Sequence, residues 1–328
     1  MVDITTTYMG LKMKNPVIVG SSGLTNSVEK IKEIEKNEAG AVVLKSLFEE
    51  QIQHEGNRTY SQDEISNAYT EAQDYIMNYT KDRDVDSYLK LIKESKAAVD
   101  IPVIASINCF SSSEWISFAK KIEKAGADGL ELNVFILPSD PRMESKHNEK
   151  IYFDIVEKVL KEVSIPVAIK ISYYFSGLAH TALKLSWTGI SGMVLFNRFF
   201  SPDIDIDKFE VKPSHVFSTP DEIATSIRWV AMLSRRLHCD LAASTGVHDG
   251  EGVIKQLLAG ATAVQISSVL YKDGFGVIPD MLGTLRTWMG RHSFKKIDDF
   301  KGKMSVKEAD NPAAYERVQF MKYFSGIE

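Results

Sequence analysis

Eight short apolar runs, separated by stretches of helical spacing, constrain the fold of this chain more than any other feature. Strands buried on both faces have continuous apolar and β-branched sequences rather than alternating ones. The runs are Pro16–Gly20, Ala41–Lys45, Pro102–Ser106, Gly129–Val134, Pro166–Ile171, Gly192–Asn197, Asp240–Ser244 and Ala263–Ser267. Helical spacing occurs between most of them, for example at Trp115–Ala125, Ile151–Val163, Ile223–Leu237 and Gly252–Ala259. This alternation predicts parallel β-α-β units.

The residues that precede the runs alternate in kind. Glycine-containing turns precede the second, fourth, sixth and eighth runs, at 38–41, 124–129, 187–192 and 258–263. Ile-Pro-Val begins the third and fifth, at 101–103 and 165–167. A glycine there would supply the left-handed residue that ends a helix, and proline is tolerated at the start of a strand.

This alternation favours a closed barrel, whose interior layers come alternately from odd and even strands. The alternative is an open doubly wound sheet, but the first run is followed by GSSGLTN, without the glycine fingerprint of that fold. We therefore predict an α/β protein with one (β/α)8 (TIM) barrel domain over residues 1–328.

Two connections are too long for plain loops. Residues 47–85 follow the second run and include a predicted helix near Tyr69–Tyr79. Residues 198–221 follow the sixth run and contain DIDIDKFEV, which alternates as an exposed hairpin would. Loops of this length usually act as lids or binding loops, and both would lie over the same end of the barrel.

Charge and cysteine content argue against several function classes. The 328 residues carry 39 Lys and Arg against 44 Asp and Glu, which argues against nucleic acid or an anionic membrane as the main partner. Cys109 and Cys239 form no CxxC or Cys/His cluster, so neither a metal site nor a disulfide framework is predicted. Residues 1–15 lack the basic and apolar segments of a signal peptide. No apolar run approaches the ~18 residues of a membrane span. We predict a cytoplasmic location.

Two lysines stand within or at the end of apolar runs. The carboxyl ends of the strands form the active site in β/α barrels, and Lys45 ends the second run while Lys170 interrupts the fifth. A buried ammonium costs several kcal/mol unless it is paired or faces an anion. Each lysine could instead point outward between helices, or pair with Glu131 inside the barrel. Two at equivalent positions favour a bound anion.

Polar residues follow five other strand ends. Asn108, Asn133 and Asn197 could cap loops, but together with the lysines they suit a heterocycle that presents alternating N–H and C=O groups. Thr245-Gly246 and Ser267-Ser268 follow the seventh and eighth runs, which is the usual phosphate position in a barrel. These pairs could also be simple turns. The convergence predicts a phosphate-bearing cofactor at the barrel mouth.

These strand ends, in this order, resemble the class-one dihydroorotate dehydrogenases, which are FMN-dependent barrels of pyrimidine biosynthesis. The resemblance runs nearly from end to end. It is carried by residues 11–23, 40–46, 129–133, 166–172, 195–197 and 244–274, and by the tail at 295–304. It implies oxidation of dihydroorotate or a related dihydropyrimidine, with a hydride passing to the flavin.

The resemblance also implies roles for individual residues. Ser22 and Gly23 would lie along the flavin, with Lys45 and Ser46 near its ring and the substrate. Asn108 and Lys170 would contact the isoalloxazine or ribityl groups, and Asn133 and Asn197 would hydrogen-bond the dihydropyrimidine ring. The phosphate would be held by Thr245, Gly246, Ser267 and Ser268.

The chain departs from the family in its fourth-strand loop. Members follow the fourth-strand asparagine with Ser-Cys-Pro-Asn, whose cysteine is the general base. Here the loop reads Val134 to Asp140 without a cysteine, and Ile136 or Leu137 occupies the place of the base. Ser139, Asp140 or a water could substitute. We take Ser139 as the candidate base, and Lys45, Asn133 and Asn197 as the other candidate catalytic residues.

Two further departures concern the neighbouring loops. The substrate-loop asparagine of the family has no clear counterpart, since Asn67 is only nearby. Arg198 replaces a small residue and could meet a carboxylate through two hydrogen bonds, or lie in solvent.

Three functions follow from these departures. The chain could be a dihydroorotate dehydrogenase, a flavin oxidoreductase of another substrate, or a flavin-binding protein without turnover; a sugar-phosphate aldolase or isomerase barrel without cofactor is a weaker alternative. The family implies a homodimer. The sequence does not identify the electron acceptor or any electron-transfer partner.

Overall fold

From residue 17 onward, strands alternate with helices in the described part of the chain. The computed structural model describes residues 2–48, 85–109, 116–199, 201–214, 216–308 and 315. The strands are β1 (Thr6–Tyr8), β2 (Leu11–Met13), β3 (Val17–Val19), β4 (Ala41–Val43), β5 (Leu47–Phe48), β6 (Val103–Cys109), β7 (Gly129–Val134), β8 (Val167–Ile171), β9 (Gly192–Leu195), β10 (Pro202–Asp205), β11 (Glu210–Pro213), β12 (Asp240–Ser244) and β13 (Ala263–Ile266). The helices are α1 (Val28–Lys36), α2 (Val85–Ala98), α3 (Ile116–Lys124), α4 (Ser145–Leu160), α5 (Leu178–Ser186), α6 (Ile223–Leu233), α7 (Gly250–Ala259), α8 (Ser268–Asp273) and α9 (Val277–Arg291).

Eight parallel strands close into a barrel. Around the barrel the order is β4, β3, β13, β12, β9, β8, β7 and β6, and pairing of β4 with β6 closes the ring. The closing register joins Val42 to Val103 and Val43 to Ile104. The predicted (β/α)8 barrel is therefore confirmed, and the open-sheet alternative is excluded.

The predicted strand positions are confirmed, with corrections at three ends. The third barrel strand continues to Cys109 instead of ending at Ser106, because its pairing with β7 extends to Val134. The second ends at Val43 and the sixth at Leu195, so Lys45 and Asn197 lie just beyond the hydrogen-bonded strands. Asn197 begins the loop after the sixth barrel strand, whereas beyond Lys45 the short strand β5 pairs again with β6.

Alternation along the strands separates an outer face from a barrel interior. Residues such as Val42, Leu132 and Ile169 belong to the large core between strands and helices. The positions next to them, including Ile18 and Ala168, form a second, smaller apolar cluster inside the barrel. Because side chains alternate with a period of two, residues two positions further along continue the interior toward the carboxyl ends.

A short hairpin closes the other end of the barrel. Strands β1 and β2 pair antiparallel, with Thr6 opposite Met13. Tyr8, Met9 and Met13 pack in the interior cluster with Ile18 and its neighbours. The amino-terminal end of the barrel is therefore filled by apolar side chains, and its polar interior lies at the carboxyl ends.

The prediction that a glycine supplies each left-handed helix end is correct for three of the four turns. Gly126, Gly189 and Gly260 have φ of +97°, +101° and +120°. Before β4, however, the left-handed residue is Glu38, with φ of +63°. Gly40 is required there for space, because a Cβ atom on it would lie 2.1 Å from the backbone oxygen of Asn15.

Replacing Gly40 with alanine is expected to destabilise the protein. The new methyl group would have to displace a backbone oxygen at the start of the barrel, and overpacking of this kind costs about 1–3 kcal/mol. Urea unfolding followed by circular dichroism measures the loss. Gly290→Ala is the matched control, because nothing lies within 4 Å of a Cβ atom at that helical position. Equal stability of Gly40→Ala and wild type would contradict the crowding.

The predicted hairpin in the loop after the sixth barrel strand is confirmed. Strands β10 and β11 pair antiparallel, with Ile204 opposite Val211, and both side chains are exposed. The predicted helix near Tyr69–Tyr79 lies outside the described residues. None of the helices in the described ranges is both long enough and apolar enough to cross a membrane.

Candidate active site at the barrel mouth

Three of the predicted side chains stand at one level of the sheet. In the register of β6, β7 and β8, Asn108 lies beside Asn133, and Asn133 lies beside Lys170. Each belongs to the interior series of its strand, since Ile104 and Ala168 of the interior cluster precede Asn108 and Lys170 by four and two positions. All three are buried. The alternation and register of the strands thus bring three residues that are far apart in the sequence onto one polar surface inside the barrel mouth.

Asn197 joins this surface from the next strand end. Its side-chain nitrogen donates a hydrogen bond of 2.9 Å to the side-chain oxygen of Asn133. Its backbone nitrogen donates to the backbone oxygen of Ile171, 2.8 Å away. The Asn133 amide nitrogen and the Asn197 amide oxygen therefore remain to recognise a ligand that offers both an acceptor and a donor.

Lys170 is connected to Glu131 through a glutamine that the sequence analysis did not single out. The Lys170 ammonium donates to the side-chain oxygen of Gln265 over 3.2 Å. The Gln265 amide nitrogen donates to Glu131 Oε2 over 2.5 Å. The proposed direct pair between Lys170 and Glu131 is therefore replaced by a bridged one. A polar residue in the apolar sequence Ala263–Ile266 was the available signal for Gln265.

Lys45 and Ser46 lie at the end of the second barrel strand and are both buried. The Ser46 hydroxyl is 3.0 Å from that of Ser21 and 2.8 Å from that of Ser106. The Ser46 backbone nitrogen also donates to the Ser21 hydroxyl over 2.8 Å. Ser46 thus links the segment after β4 to the end of β3 and to β6, and holds the backbone next to Lys45 in place.

Ser22 and Gly23 form the start of a 3-10 helix after β3. The Ser22 hydroxyl accepts a hydrogen bond from the backbone nitrogen of Leu24, 3.3 Å away. A Cβ atom at Gly23 would lie 2.8 Å from the Tyr271 hydroxyl. Gly23 thus leaves room for the Tyr271 side chain of α8 to lie against the first strand end.

Two turns meet where the phosphate is predicted. Thr245 and Gly246 are both left-handed, with φ of +76° and +77°. A Cβ atom at Gly246 would lie 2.1 Å from the backbone nitrogen of Ile223. On the neighbouring strand, Ser267 precedes α8, and the Ser268 hydroxyl accepts a hydrogen bond of 3.0 Å from the backbone nitrogen of Ser218.

A histidine and a lysine secure Ser218 in turn. The Ser218 hydroxyl is 3.0 Å from His248 Nε2, and its backbone oxygen accepts from the Lys272 ammonium over 3.0 Å. Burial, with Lys272 nearby, lowers the pKa of the His248 imidazole. The loop after the sixth barrel strand is therefore fastened beside the two turns.

A cavity at the carboxyl ends of the barrel strands, open to solvent, unites most of these elements. The predicted residues that line it are Lys170, Asn197, Thr245, Gly246, Ser267 and Ser268. Ser21, Gln265 and Arg198 also line it. The remaining predicted residues border these without lining it: Ser22, Gly23, Lys45, Ser46, Asn108 and Asn133.

Arg198 meets a carboxylate of its own chain. Its Nε donates to Glu222 Oε2 over 2.8 Å, its Nη2 reaches Glu222 Oε1 at 3.3 Å, and its Nη1 donates to the backbone oxygen of Val216 at 2.9 Å. Burial opposes ionisation of Glu222, but Arg198 and the Thr219 backbone overcome it and lower the pKa of the carboxyl. This pair clamps both ends of the 198–221 loop to the cavity wall.

Replacing Glu222 with glutamine is expected to lower the Tm by about 2–5 °C at pH 7, because it leaves a half-buried guanidinium without its charge partner. A carboxyl with a lowered pKa contributes stability that is present above the unfolded-state value and lost as pH falls through the folded-state value. The Tm difference between variant and wild type should therefore shrink as pH falls below about 4, the unfolded-state range of a glutamate, and vanish below the lowered folded-state pKa of Glu222. Calorimetry across this range measures it. Glu251→Gln, at an exposed helical ion pair, is the control, and a difference that persists in acid would contradict the clamp.

An aromatic cluster joins the chain segments after β7, β8 and β9, next to the loop in which the family carries its base. The Phe135 ring centroid is 3.9 Å from that of Phe199, and Phe199 meets Tyr174 edge-on at 4.4 Å. Tyr173 stacks on Tyr174 at 4.7 Å and meets Phe196 edge-on at 5.7 Å. Burial, reinforced by Tyr174, raises the pKa of the Tyr173 hydroxyl to about 12, so it stays protonated at neutral pH.

Ser139 lies on the exposed part of this loop. Its backbone nitrogen donates to the backbone oxygen of Leu137, 2.8 Å away, and its side chain is exposed. Asp140 pairs with Arg142 through two hydrogen bonds, which lower the pKa of the carboxyl. The structure thus does not bring Ser139 to the cavity, and its catalytic role stays a prediction. In the described ranges, no cluster of three His, Cys, Asp or Glu side chains could hold a metal ion.

Comparison with known proteins gives a consistent result across most of the chain. The family model for dihydroorotate dehydrogenase matches residues 3–289. The catalytic subunit of dihydroorotate dehydrogenase B (NAD(+)) from Thermoplasma volcanium is 29% identical over 315 residues, covering 92% of this chain and 98% of that protein. Dihydroorotate dehydrogenase A (fumarate) from Lactococcus lactis subsp. cremoris is 25% identical over 319 residues, covering 92% and 99%.

Proposed function

Because this chain belongs to the dihydroorotate dehydrogenase family, we propose that it is an FMN-dependent dehydrogenase. It oxidises the CH–CH bond of dihydroorotate or a closely related dihydropyrimidine, as a step of pyrimidine biosynthesis. The observation that carries the proposal is the cavity in which buried Lys170 and Asn197 meet the turns at Thr245-Gly246 and Ser267-Ser268. An FMN site of this kind needs a cation near the flavin ring, side-chain amides that hydrogen-bond a heterocycle, and a turn that binds the phosphate.

The donor set supports a flavin phosphate at one end of the cavity and its ring at the other. Gly246 packs so closely on the backbone of Ile223 that the turn needs a residue without a side chain, which keeps the Thr245-Gly246 backbone at the cavity wall. Lys170 presents a buried cation that donates to a neutral amide, which leaves its charge to stabilise an anionic ring. When bound, FMN would supply hydride acceptance at N5.

The two asparagines would hold the substrate. Their mutual hydrogen bond leaves one donor from Asn133 and one acceptor from Asn197, which match the C=O and N–H groups of a dihydropyrimidine. Asn108, Lys45 and Ser46 would complete the surface around the ring. Ser22 and Gly23 would border it.

The general base is assigned to Ser139 only if the loop moves. Its exposure and the 2.8 Å bond between the backbone atoms of Ser139 and Leu137 fix it away from the cavity in this conformation. The alternative base is a water molecule held by the side-chain amides of Asn133 and Asn197. Loss of a positioned base costs about 10²–10⁴-fold, so slow reduction by dihydroorotate is consistent with the proposal.

A flavin oxidoreductase of a different substrate is the second candidate. The aromatic cluster of Phe135, Phe199, Tyr173, Tyr174 and Phe196 favours it, because this cluster presents apolar rings where the family presents a small polar loop. A substrate with a bulkier apolar group on its ring would pack against these side chains.

Anaerobic mixing of the FMN-loaded protein with dihydroorotate tests the proposal. The flavin absorbance near 450 nm is expected to bleach, and Asn197→Ala is expected to slow bleaching because it removes a substrate contact. Bleaching by a saturated CH–CH donor that is not a dihydropyrimidine, with none by dihydroorotate or a related dihydropyrimidine, would establish the second candidate. A protein that binds no FMN would contradict both.

Assembly and location complete the proposal. We infer a single barrel domain that forms a homodimer in the cytoplasm, with a small-molecule substrate and no nucleic acid or membrane partner. One relative is named as a catalytic subunit and another after fumarate, so either a partner subunit or a soluble acid could take the electrons.

A further inference from the structure

A buried chain of three side chains crosses the barrel interior below the cavity. It runs from the Lys170 ammonium to the Gln265 oxygen (3.2 Å), and from the Gln265 nitrogen to Glu131 Oε2 (2.5 Å). Lys170 and Gln265 line the cavity, whereas Glu131 does not. The site described above uses Lys170 and leaves the function of the other two unexplained.

The two charged ends fix the orientation of the Gln265 amide. Its oxygen faces the ammonium and its nitrogen faces the carboxylate, which is the one arrangement in which both contacts are attractive. Turning the amide over would place oxygen against carboxylate and nitrogen against ammonium. The amide also acts as a spacer, because it occupies the position in which Lys170 and Glu131 would otherwise meet directly.

Glu131 is enclosed to an unusual degree for a carboxylate. Among the acidic side chains in the described part of the chain, it is the one that is buried, with 2% exposed. Its second oxygen, Oε1, has no hydrogen-bond partner within those residues. Burial raises the pKa of its carboxyl, against the opposing effects of Lys170 and Gln265. A group so costly to bury points to a function beyond packing.

We propose that Glu131, acting through Gln265, is a positioning residue that holds the Lys170 ammonium at the flavin and sets its effective charge. The inference rests on the proposed function, because it assumes that FMN occupies the cavity. The negative charge of Glu131 offsets part of the positive charge that favours the reduced anionic ring. Gln265 keeps that ammonium at the cavity by preventing a direct ion pair lower in the barrel.

Two variants test this proposal, because they are expected to shift the midpoint potential of bound FMN in opposite directions. Glu131→Gln keeps the shape and removes the charge, so the reduced flavin should be stabilised by about ten-fold. That corresponds to a midpoint potential about 30 mV higher for a two-electron couple. Gln265→Leu removes the spacer, so Lys170 should pair with Glu131 and the potential should fall. A merely structural role would loosen the site in both variants and move both potentials the same way.

The measurement is the midpoint potential of bound FMN, determined by equilibration with a reference dye. Gln256→Leu is the matched control, since Gln256 is a buried glutamine that bonds Ser226 on the helical shell. Should Gln265→Leu not retain FMN, Gln265→Met replaces it. Unchanged or equally shifted potentials would overturn the inference while leaving the proposed function intact. A wild type that binds no FMN would instead overturn the proposed function.

Discussion

Lys170→Ala is expected to reduce the rate of flavin reduction by substrate by about 10²–10³-fold, the usual cost of losing one charge-stabilising donor. Lys170 is 9% exposed and lines the cavity, where its ammonium is placed to stabilise the reduced ring. Its removal also leaves Glu131 and Gln265 without the positive end of their chain. Anaerobic stopped-flow mixing, with the rate expressed per bound flavin, measures the effect.

Lys255→Ala provides the control for this variant. Lys255 forms an exposed ion pair with Glu251 one helical turn away on α7, far from the strand ends. It should reduce flavin at the wild-type rate. Wild-type rates in Lys170→Ala itself would show that the ammonium does not act on the flavin.

Gly246→Ala is expected to weaken FMN binding by at least about ten-fold. Left-handed backbone costs a residue with a side chain about 1–2 kcal/mol; the apoprotein would relieve this strain by moving the turn, and FMN binding would have to restore it, at a cost that corresponds to roughly that factor. In addition, the new Cβ atom would lie 2.1 Å from the backbone nitrogen of Ile223, so the turn must move. Fluorescence titration of the apoprotein with FMN measures the affinity.

Gly283→Ala is the matched glycine control. It lies within α9, and nothing stands within 4 Å of a Cβ atom at that position. It should bind FMN as the wild type does and gain up to about 1 kcal/mol of stability from helix propensity. Wild-type FMN affinity in Gly246→Ala would contradict the placement of the phosphate at this turn.

The barrel was predictable because each of its strands is buried on both faces and each helix between them shows its own periodicity. The apolar runs therefore mark strands such as Gly129–Val134 and Asp240–Ser244 at their observed bounds. Strands β1 and β2 are each only three residues long and are not fully apolar, and a three-residue strand has no measurable periodicity. This is why the hairpin at the bottom of the barrel was not predicted.

Site residues could be predicted where a polar side chain interrupts an apolar strand sequence. They could not be predicted where the contact joins residues that are far apart in the sequence. Lys170 and Asn133 stand out in apolar strands, and the register sets them side by side. Gln265 was overlooked because a single amide resembles an ordinary strand residue until its two charged neighbours are known. The partner of Arg198 was also unpredictable, since Glu222 lies 24 residues away across a loop.

The loop from Val134 to Asp140 shows the limit of a resemblance. The sequence reveals that the cysteine is absent, but the tilted contact of the Phe135 and Phe199 rings comes from two loops that converge only in the fold. This packing explains how the apolar side chain of Phe135 is accommodated next to Asn133 and Asn197, the two asparagines proposed to bind the substrate. It also makes the cluster the first place to look for altered substrate preference.

The affinities of the apoprotein for FMN and for riboflavin test the central claim most directly, because the two ligands differ only in the phosphate. Charge-assisted hydrogen bonds to the turns at Thr245-Gly246 and Ser267-Ser268 should contribute about 1.5–3 kcal/mol. FMN is therefore expected to bind about 10- to 100-fold more tightly than riboflavin. Equal affinities for the two, or no binding of either, would contradict a flavin phosphate site at the mouth of this barrel.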